Sequence, residues 1–264
     1  MQRTEDLERI RAALEESATI LGRFSAGAVE HRLKQGGDPL TEADTEVNDA
    51  LRKSLPRPGE GWLSEESADD LERRSRTRVW IVDPLDGTRE FVEGIPEWCV
   101  SVGLVESGRA VAGGIFSPST GRTILGSLET GVSLNGQPCT TRPVEVLEGV
   151  EVLASRSETK RGEWKRFDSA PFGIRPMGSV AYKMGLVAAG LADATWTLLP
   201  KHEWDVAAGT ALVEAAGGEV RLPDGSPPVF NQEKPLFGGL LAAPRGMTEV
   251  ILRYLREHPA DPEG

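Results

Sequence analysis

Apolar positions Leu7, Ile10, Leu14, Leu21 and Phe24 recur at the spacing of one helix face, which predicts a first helix capped by Thr4, with Glu5 and Asp6 at its positive end. Gly27 and the segment from Lys34 to Leu40 interrupt the pattern as a loop. A second helix is expected from Thr41, carrying Val47, Ala50 and Leu51 and ending before Pro56, and Thr41-Glu42-Ala43-Asp44 has the form of a capping box. Trp62 to Ser67 reads as a short strand running into a loop, and the charged run 69–78 as a solvated helix or loop. Residues 80–83 then read as the end of a buried strand, stopped by Pro84 and followed by a tight turn at Gly87. Residues 99–105 and 109–116 flank Glu106-Ser107-Gly108 as a hairpin, with further strands at 123–127 and 131–136. This is an α+β pattern, with sheet and helices segregated.

Beyond residue 145 strand and helix patterns alternate, an α/β pattern. Strands are expected at 150–154, 192–198, 219–222 and 240–243, and helices at 158–167, 180–189, 206–216 and 247–257. Gly190 and Gly217-Gly218 read as helix stops. We expect two halves, 1–145 and 146–264, sharing one interface because no linker composition separates them.

Composition narrows the partners. Forty-one acidic against 30 basic residues give a formal charge of −11, which leaves no basic surplus for a nucleic acid polymer or an anionic membrane. No apolar run is long enough to span a bilayer, and the N-terminus reads as a charged amphipathic helix rather than a signal-peptide core. Two cysteines, Cys99 and Cys139, suggest no disulfide framework and fit a reducing cytoplasm.

The candidate chemistry lies in acids at element ends. Asp83 and Asp86 flank Pro84-Leu85 in the central turn and Gly87-Thr88 follow, a pattern that suits a hard cation beside free backbone amides. An Asp-rich turn with a capping Thr is the alternative. Glu65 and Asp205 stand beside other short apolar runs, with Asp38 and Asp44 upstream. Asp205 alone would be a plain N-cap for the helix from Val206, and Asp44 alone a capping-box acid.

Four ordered motifs change the weight of these readings. Asp83-Pro84-Leu85-Asp86-Gly87-Thr88, Leu63-Ser64-Glu65-Glu66-Ser67, Trp204-Asp205-Val206-Ala207-Ala208-Gly209 and Asp38-Pro39-Leu40-Thr41-Glu42-Ala43-Asp44 together resemble the inositol-monophosphatase superfamily, which includes inositol monophosphatases, bisphosphate nucleotidases of the CysQ type and fructose-1,6-bisphosphatases. In the last motif Leu40 stands where that family usually has Val. The resemblance implies a layered α-β-α-β-α sandwich and two or three Mg²⁺ ions. It implies Glu65, Asp83, Asp86, Asp205 and the Leu85 carbonyl as ligands, and Thr88 paired with Asp44 to activate water. It implies the amides of Gly87 and Thr88 as phosphate donors. It further implies Li⁺ inhibition and a homodimer.

Within that family the variations lean toward a nucleotide. Asp86-Gly87-Thr88-Arg89-Glu90-Phe91 is similar to the nucleotidase form, Leu198 occupies the position of an inositol-contacting Glu, and Gly178-Ser179-Val180-Ala181-Tyr182-Lys183 offers a serine and a lysine to a substrate phosphate. Lys183 could equally be a surface helix lysine, and Arg89 could pair with Glu90 or Glu93. The expected activity is removal of the 3'-phosphate from adenosine 3',5'-bisphosphate, the by-product of sulfate activation and of sulfotransferases, with its sulfated analogue as a further substrate. Inositol-1-phosphate or broad sugar-phosphate hydrolysis is the alternative, and a non-catalytic metal-binding regulator is a third.

Overall fold

The structure, a computed structural model, describes residues 2–34 and 37–259, so Gln35 and Gly36 of the expected loop lie outside it. Helix α1 (Gln2–Leu21) begins before Thr4, which therefore sits inside the first turn rather than at the cap. Its first turn is anchored to the sheet instead, through Arg3, which donates to Glu106 at 2.9 Å and to Asp6 at 3.0 Å. A short ribbon of β1 (His31–Leu33) and β2 (Pro39–Thr41) brackets the following loop. Helix α2 (Glu42–Ser54) carries the expected capping box at Thr41 and Asp44.

A seven-stranded sheet follows, made of β3 (Gly61–Ser64), β4 (Arg78–Asp86), β5 (Cys99–Glu106), β6 (Arg109–Ser117), β7 (Arg122–Ser127), β8 (Gly131–Leu134) and β9 (Gln137–Cys139), hydrogen-bonded in that order. Only β3 and β4 run parallel. Pro84 does not stop the central strand. Strand β4 runs on to Asp86 through an irregularity in which Asp83 faces Ser101 and Asp86 faces Cys99. Three residues advance against two there, and a proline without N–H is tolerated at such a bulge. Helix α3 (Thr88–Glu93) follows directly. The charged run 69–78 is a loop containing a 3-10 turn at Glu72–Ser75 and leading into β4 at Arg78, and it is not fully solvated. Arg73 is buried in it, held by Asp69, Asn231 and the Gln232 carbonyl.

The second sheet has five strands in the order β11-β10-β12-β16-β14, from β10 (Glu151–Ser155), β11 (Gly173–Met177), β12 (Ala194–Thr197), β14 (Gly218–Arg221) and β16 (Leu240–Pro244). A separate ribbon joins β13 (Lys201–His202) to β15 (Leu236–Phe237). The expected helix 158–167 is instead α4 (Arg156–Arg161) and a 3-10 turn at Lys165–Phe167, because Gly162 takes the left-handed conformation and closes α4. Helices α5 (Val180–Ala188), α6 (Glu203–Ala215) and α7 (Met247–Glu257) complete the chain.

Burial defines the layers. On β4, Trp80 and Val82 pack with Ile10, Leu14, Val47 and Leu51 of α1 and α2, whereas Val79 and Ile81 join the cluster containing α5 and α6. Alternate residues thus bury both faces of the strand. Helix α6 is almost uniformly apolar because it lies between the two sheets. It seats against glycines: a Cβ at Gly113 would stand 2.6 Å from the Ala208 carbonyl oxygen, and one at Gly103 2.9 Å from the Ala207 Cβ. Trp164, Phe167, Trp196, Ile251 and Leu252 form a third cluster on the outer face of the smaller sheet. The order is helices, large sheet, helices, small sheet, helix, the α-β-α-β-α sandwich.

Candidate active site

Parallel pairing of β3 with β4 sets Ser64 beside Val82, so Glu65 leaves its strand next to Asp83. From this junction opens a cleft of about 320 Å³, lined by Glu65, Asp83, Leu85, Asp86, Gly87, Thr88, Arg89, Ser179, Lys183 and Asp205 among others. Nearly every residue singled out in the sequence therefore meets in one place, although the segments span 140 residues from Glu65 to Asp205. Gly87 makes the turn between β4 and α3 with φ +97°, and a Cβ there would stand 2.9 Å from the Glu97 carbonyl oxygen. Glycine is required on both counts.

Asp44 lies behind the cleft and is 1 % exposed. Its two oxygens are divided between two tasks. Oδ2 accepts from the Thr41 amide at 2.8 Å and the Thr41 hydroxyl at 2.6 Å, while Oδ1 accepts from the Thr88 hydroxyl at 2.9 Å. Capping and the Thr88 partnership coexist in one side chain. Burial raises the Asp44 pKa above the usual carboxylate range, against the lowering effect of these hydrogen bonds. The Thr88 hydroxyl also stands 2.9 Å from the Leu85 carbonyl.

The other acids repel one another. Burial, then Glu65, Asp86 and Asp205, hold the Asp83 carboxyl well above its ordinary value. Burial and the charges of Asp86 and Glu65 do the same at Asp205. Asp86 is also raised by burial, although its Oδ2 accepts from Ser179 Oγ at 2.7 Å and the Ala181 amide at 2.6 Å. Asp205 is not the N-cap of α6: that position is His202, whose amide donates to Asp205 Oδ2 at 2.8 Å. The helix begins earlier than its apolar pattern because Glu203, in its first turn, is buried and accepts the amides of Asn231 and Gln232.

Buried, all-oxygen, mutually repelling donors fit a hard divalent cation. Among the described residues, no three are gathered closely enough to hold an ion as they stand. One cation already engages the set, since Lys34 Nζ donates to Glu65 at 2.6 Å and also to Glu66.

Lys183 is not a surface lysine. It is 3 % exposed, donates to the Met177 carbonyl at 3.1 Å, and is pulled down to about 8 by burial, which the charges of Asp86 and Glu158 only partly offset. Arg89 pairs with Asp38 at 2.9 Å rather than with Glu90 or Glu93, because Glu90 is turned into the protein. Glu158, Arg161 and Lys201 also line the cleft, although the sequence assigned them no role. Buried Glu158 accepts from Thr197 at 2.5 Å and lies 3.4 Å from Lys201 Nζ. Lys201 could have been found from its place in Pro200-Lys201-His202-Glu203-Trp204-Asp205; Glu158 carries no local signal.

An acidic cleft floor with a buried hydroxyl–carboxylate pair, set in a layered sandwich of this kind, suits the chemistry of a phosphate ester. The inositol monophosphatase family profile matches residues 4–260, and the chain belongs to that family. Inositol-1-monophosphatase of Mesorhizobium japonicum is 32% identical over 234 residues, covering 85% of each chain. The inositol monophosphatase of Thermotoga maritima superposes with a TM-score of 0.81 at 25% identity, over 97% of this chain and 98% of that one. CysQ from Bacteroides thetaiotaomicron, a bacterial member of the same family, gives 0.74 at 26% identity, over 91% and 97%. The chain is thus a phosphatase of the inositol monophosphatase family. No described helix is long and apolar enough to cross a membrane.

Proposed function

We propose that the protein is a Mg²⁺-dependent phosphomonoesterase that removes the 3'-phosphate of adenosine 3',5'-bisphosphate. Glu65, Asp83, Asp86, Asp205 and the Leu85 carbonyl would hold the ions. When bound, Mg²⁺ would neutralise phosphoryl charge and acidify a water. The Thr88 hydroxyl points its hydrogen at Asp44 or Leu85, so its oxygen lone pairs are free to accept from the attacking water and orient it. Asp44, the carboxylate behind it, is the group that would share the released proton. The Gly87 and Thr88 amides would receive phosphate oxygens at the start of α3.

The observation that carries the substrate reading is the basic share of the cleft wall: Lys183, Lys201, Arg161 and Arg89 all line the cleft alongside the acids, while Leu198 supplies no carboxylate for a polyol. A second phosphate suits such a wall. Inositol-1-phosphate is the second reading, favoured by relatives such as the Mesorhizobium japonicum protein that carry that name. Phosphate release with Mg²⁺ from the bisphosphonucleotide, inositol-1-phosphate and fructose-1,6-bisphosphate separates them. The expected result is the highest kcat/KM on the bisphosphonucleotide; a higher value on inositol-1-phosphate would transfer the assignment to the second reading.

A further inference from the structure

Behind Glu158 and Arg161 the cleft adjoins a larger chamber of about 720 Å³, the two spaces sharing those side chains as common walls. The chamber is lined by Leu198 and Leu199 over the packed rings of Trp164, Phe167 and Trp196, which are only 2–4 % exposed. The two indoles stack at 5.3 Å with 24° between their planes, and Phe167 stands edge-on to each.

Its charges are unequally satisfied. Glu163 is engaged by Arg161 at 2.6 Å. Glu158 is engaged by Thr197, Lys201 and the Trp164 indole N–H. Among the described residues Lys165 makes no ion pair or side-chain hydrogen bond, and neither does the guanidinium of Arg166, whose Nε is buried without a partner and which lies over the Phe167 ring at 4.5 Å. Burial without a compensating acid lowers its pKa from the ordinary arginine value. The Trp196 indole N–H is also buried without an acceptor. Half-buried guanidinium groups are normally paired, because desolvation of the charge is otherwise uncompensated. A roomy, partly apolar chamber that keeps an unpaired arginine beside a phosphate-ester cleft has the composition of a ligand subsite.

We propose that this chamber is a second subsite of the cleft, taking a planar aromatic ring from the alcohol part of the substrate, with an anionic substituent of that part held by Arg166. Leu198 and Leu199, the more exposed apolar side chains of the chamber, supply area for the aromatic group, and the guanidinium supplies charge-assisted, planar donors for the anion. Glu158 and Arg161, at the junction, are the side chains the substrate must pass between. The proposal rests on the reading of the cleft as a site of phosphate-ester hydrolysis, and not on which ester is preferred.

The test is calorimetric titration of the protein, with Mg²⁺ present, by adenosine 5'-monophosphate and by ribose 5-phosphate, which lacks the ring. The wild type should bind the nucleotide about tenfold or more tightly than the sugar phosphate. Arg166→Met, which keeps the stem over Phe167, should weaken nucleotide binding about tenfold, as loss of one charge-assisted contact implies. Arg166→Lys should recover part of it, and melting temperatures show that both variants are folded. Equal affinity for the two probes, or unchanged nucleotide affinity in Arg166→Met, would overturn the proposal. If adenosine 3',5'-bisphosphate is not hydrolysed but the ring and Arg166 effects persist, the substrate assignment falls and the chamber stands.

Discussion

The division of labour in Asp44 makes a residue-level test possible. Asn at this position keeps an oxygen for Thr41 but replaces the acceptor of the Thr88 hydroxyl. Asp44→Asn should therefore lower kcat by about 10²–10⁴-fold with KM and melting temperature little changed, measured by steady-state phosphate release. Lys183 offers a pH test. With its pKa near 8, it is charged below that pH and loses its charge above it, so attraction for an anionic substrate is present at neutral pH and fades on the alkaline side. KM should rise above about pH 8, and Lys183→Met should raise KM at neutral pH and flatten that limb. The acids and Thr88 were legible in the chain because they sit in fixed local motifs. Lys183 was ambiguous because helix spacing does not tell a lysine whether the cleft or the solvent lies above it. Arg166 and Glu158 were invisible because their environment comes from β12 and the turn at Trp164, not from sequence neighbours.

At the scale of elements, the join between α1 and the large sheet is ionic as well as apolar. Glu60, just before β3, accepts from Arg78 at 3.1 Å and Trp80 Nε1 at 2.8 Å and pairs with Arg9 of α1. Burial alone would raise its pKa, but these donors and the Arg57 amide bring it down from 4.5 to about 2. A depressed folded pKa contributes stability above about pH 4.5, and that contribution is lost as pH falls toward 2. Denaturant titration should find Glu60→Gln less stable by about 2–3 kcal/mol at pH 7, with the gap to wild type closing below pH 4. Most helices and strands of this layer were readable from periodicity. The exceptions are mostly short: β1, β2 and β9 are three-residue strands in local ribbons and hairpins, β11, β13 and β15 are edge or ribbon strands paired with residues twenty or more positions away, and β4 outruns Pro84 because the bulge, not the residue, decides whether a ladder continues.

For the whole molecule, the cleft acids arrive from two adjacent layers: Asp83 and Asp86 on the large sheet, Asp205 on the first turn of α6 in the helix layer behind it. Their relative height is set where α6 rests on β5 and β6, one turn below Asp205, and there the spacer is the absence of a side chain at Gly103 and Gly113. Gly113→Ala would drive a methyl into the Ala208 carbonyl, at a cost of about 1–3 kcal/mol if the helix gives way. We expect Mg²⁺ affinity, followed by calorimetry, to fall in this variant along with stability, although no atom of Gly113 lines the cleft. The five-layer order could be anticipated only through resemblance, since composition and periodicity name layers without stacking them. The glycines work like the shims of an instrument, setting a gauge length by their thinness. Wear at a shim is read at the dial, so lesions deep in this sheet will present, in any screen of activity, as faults of the active site itself.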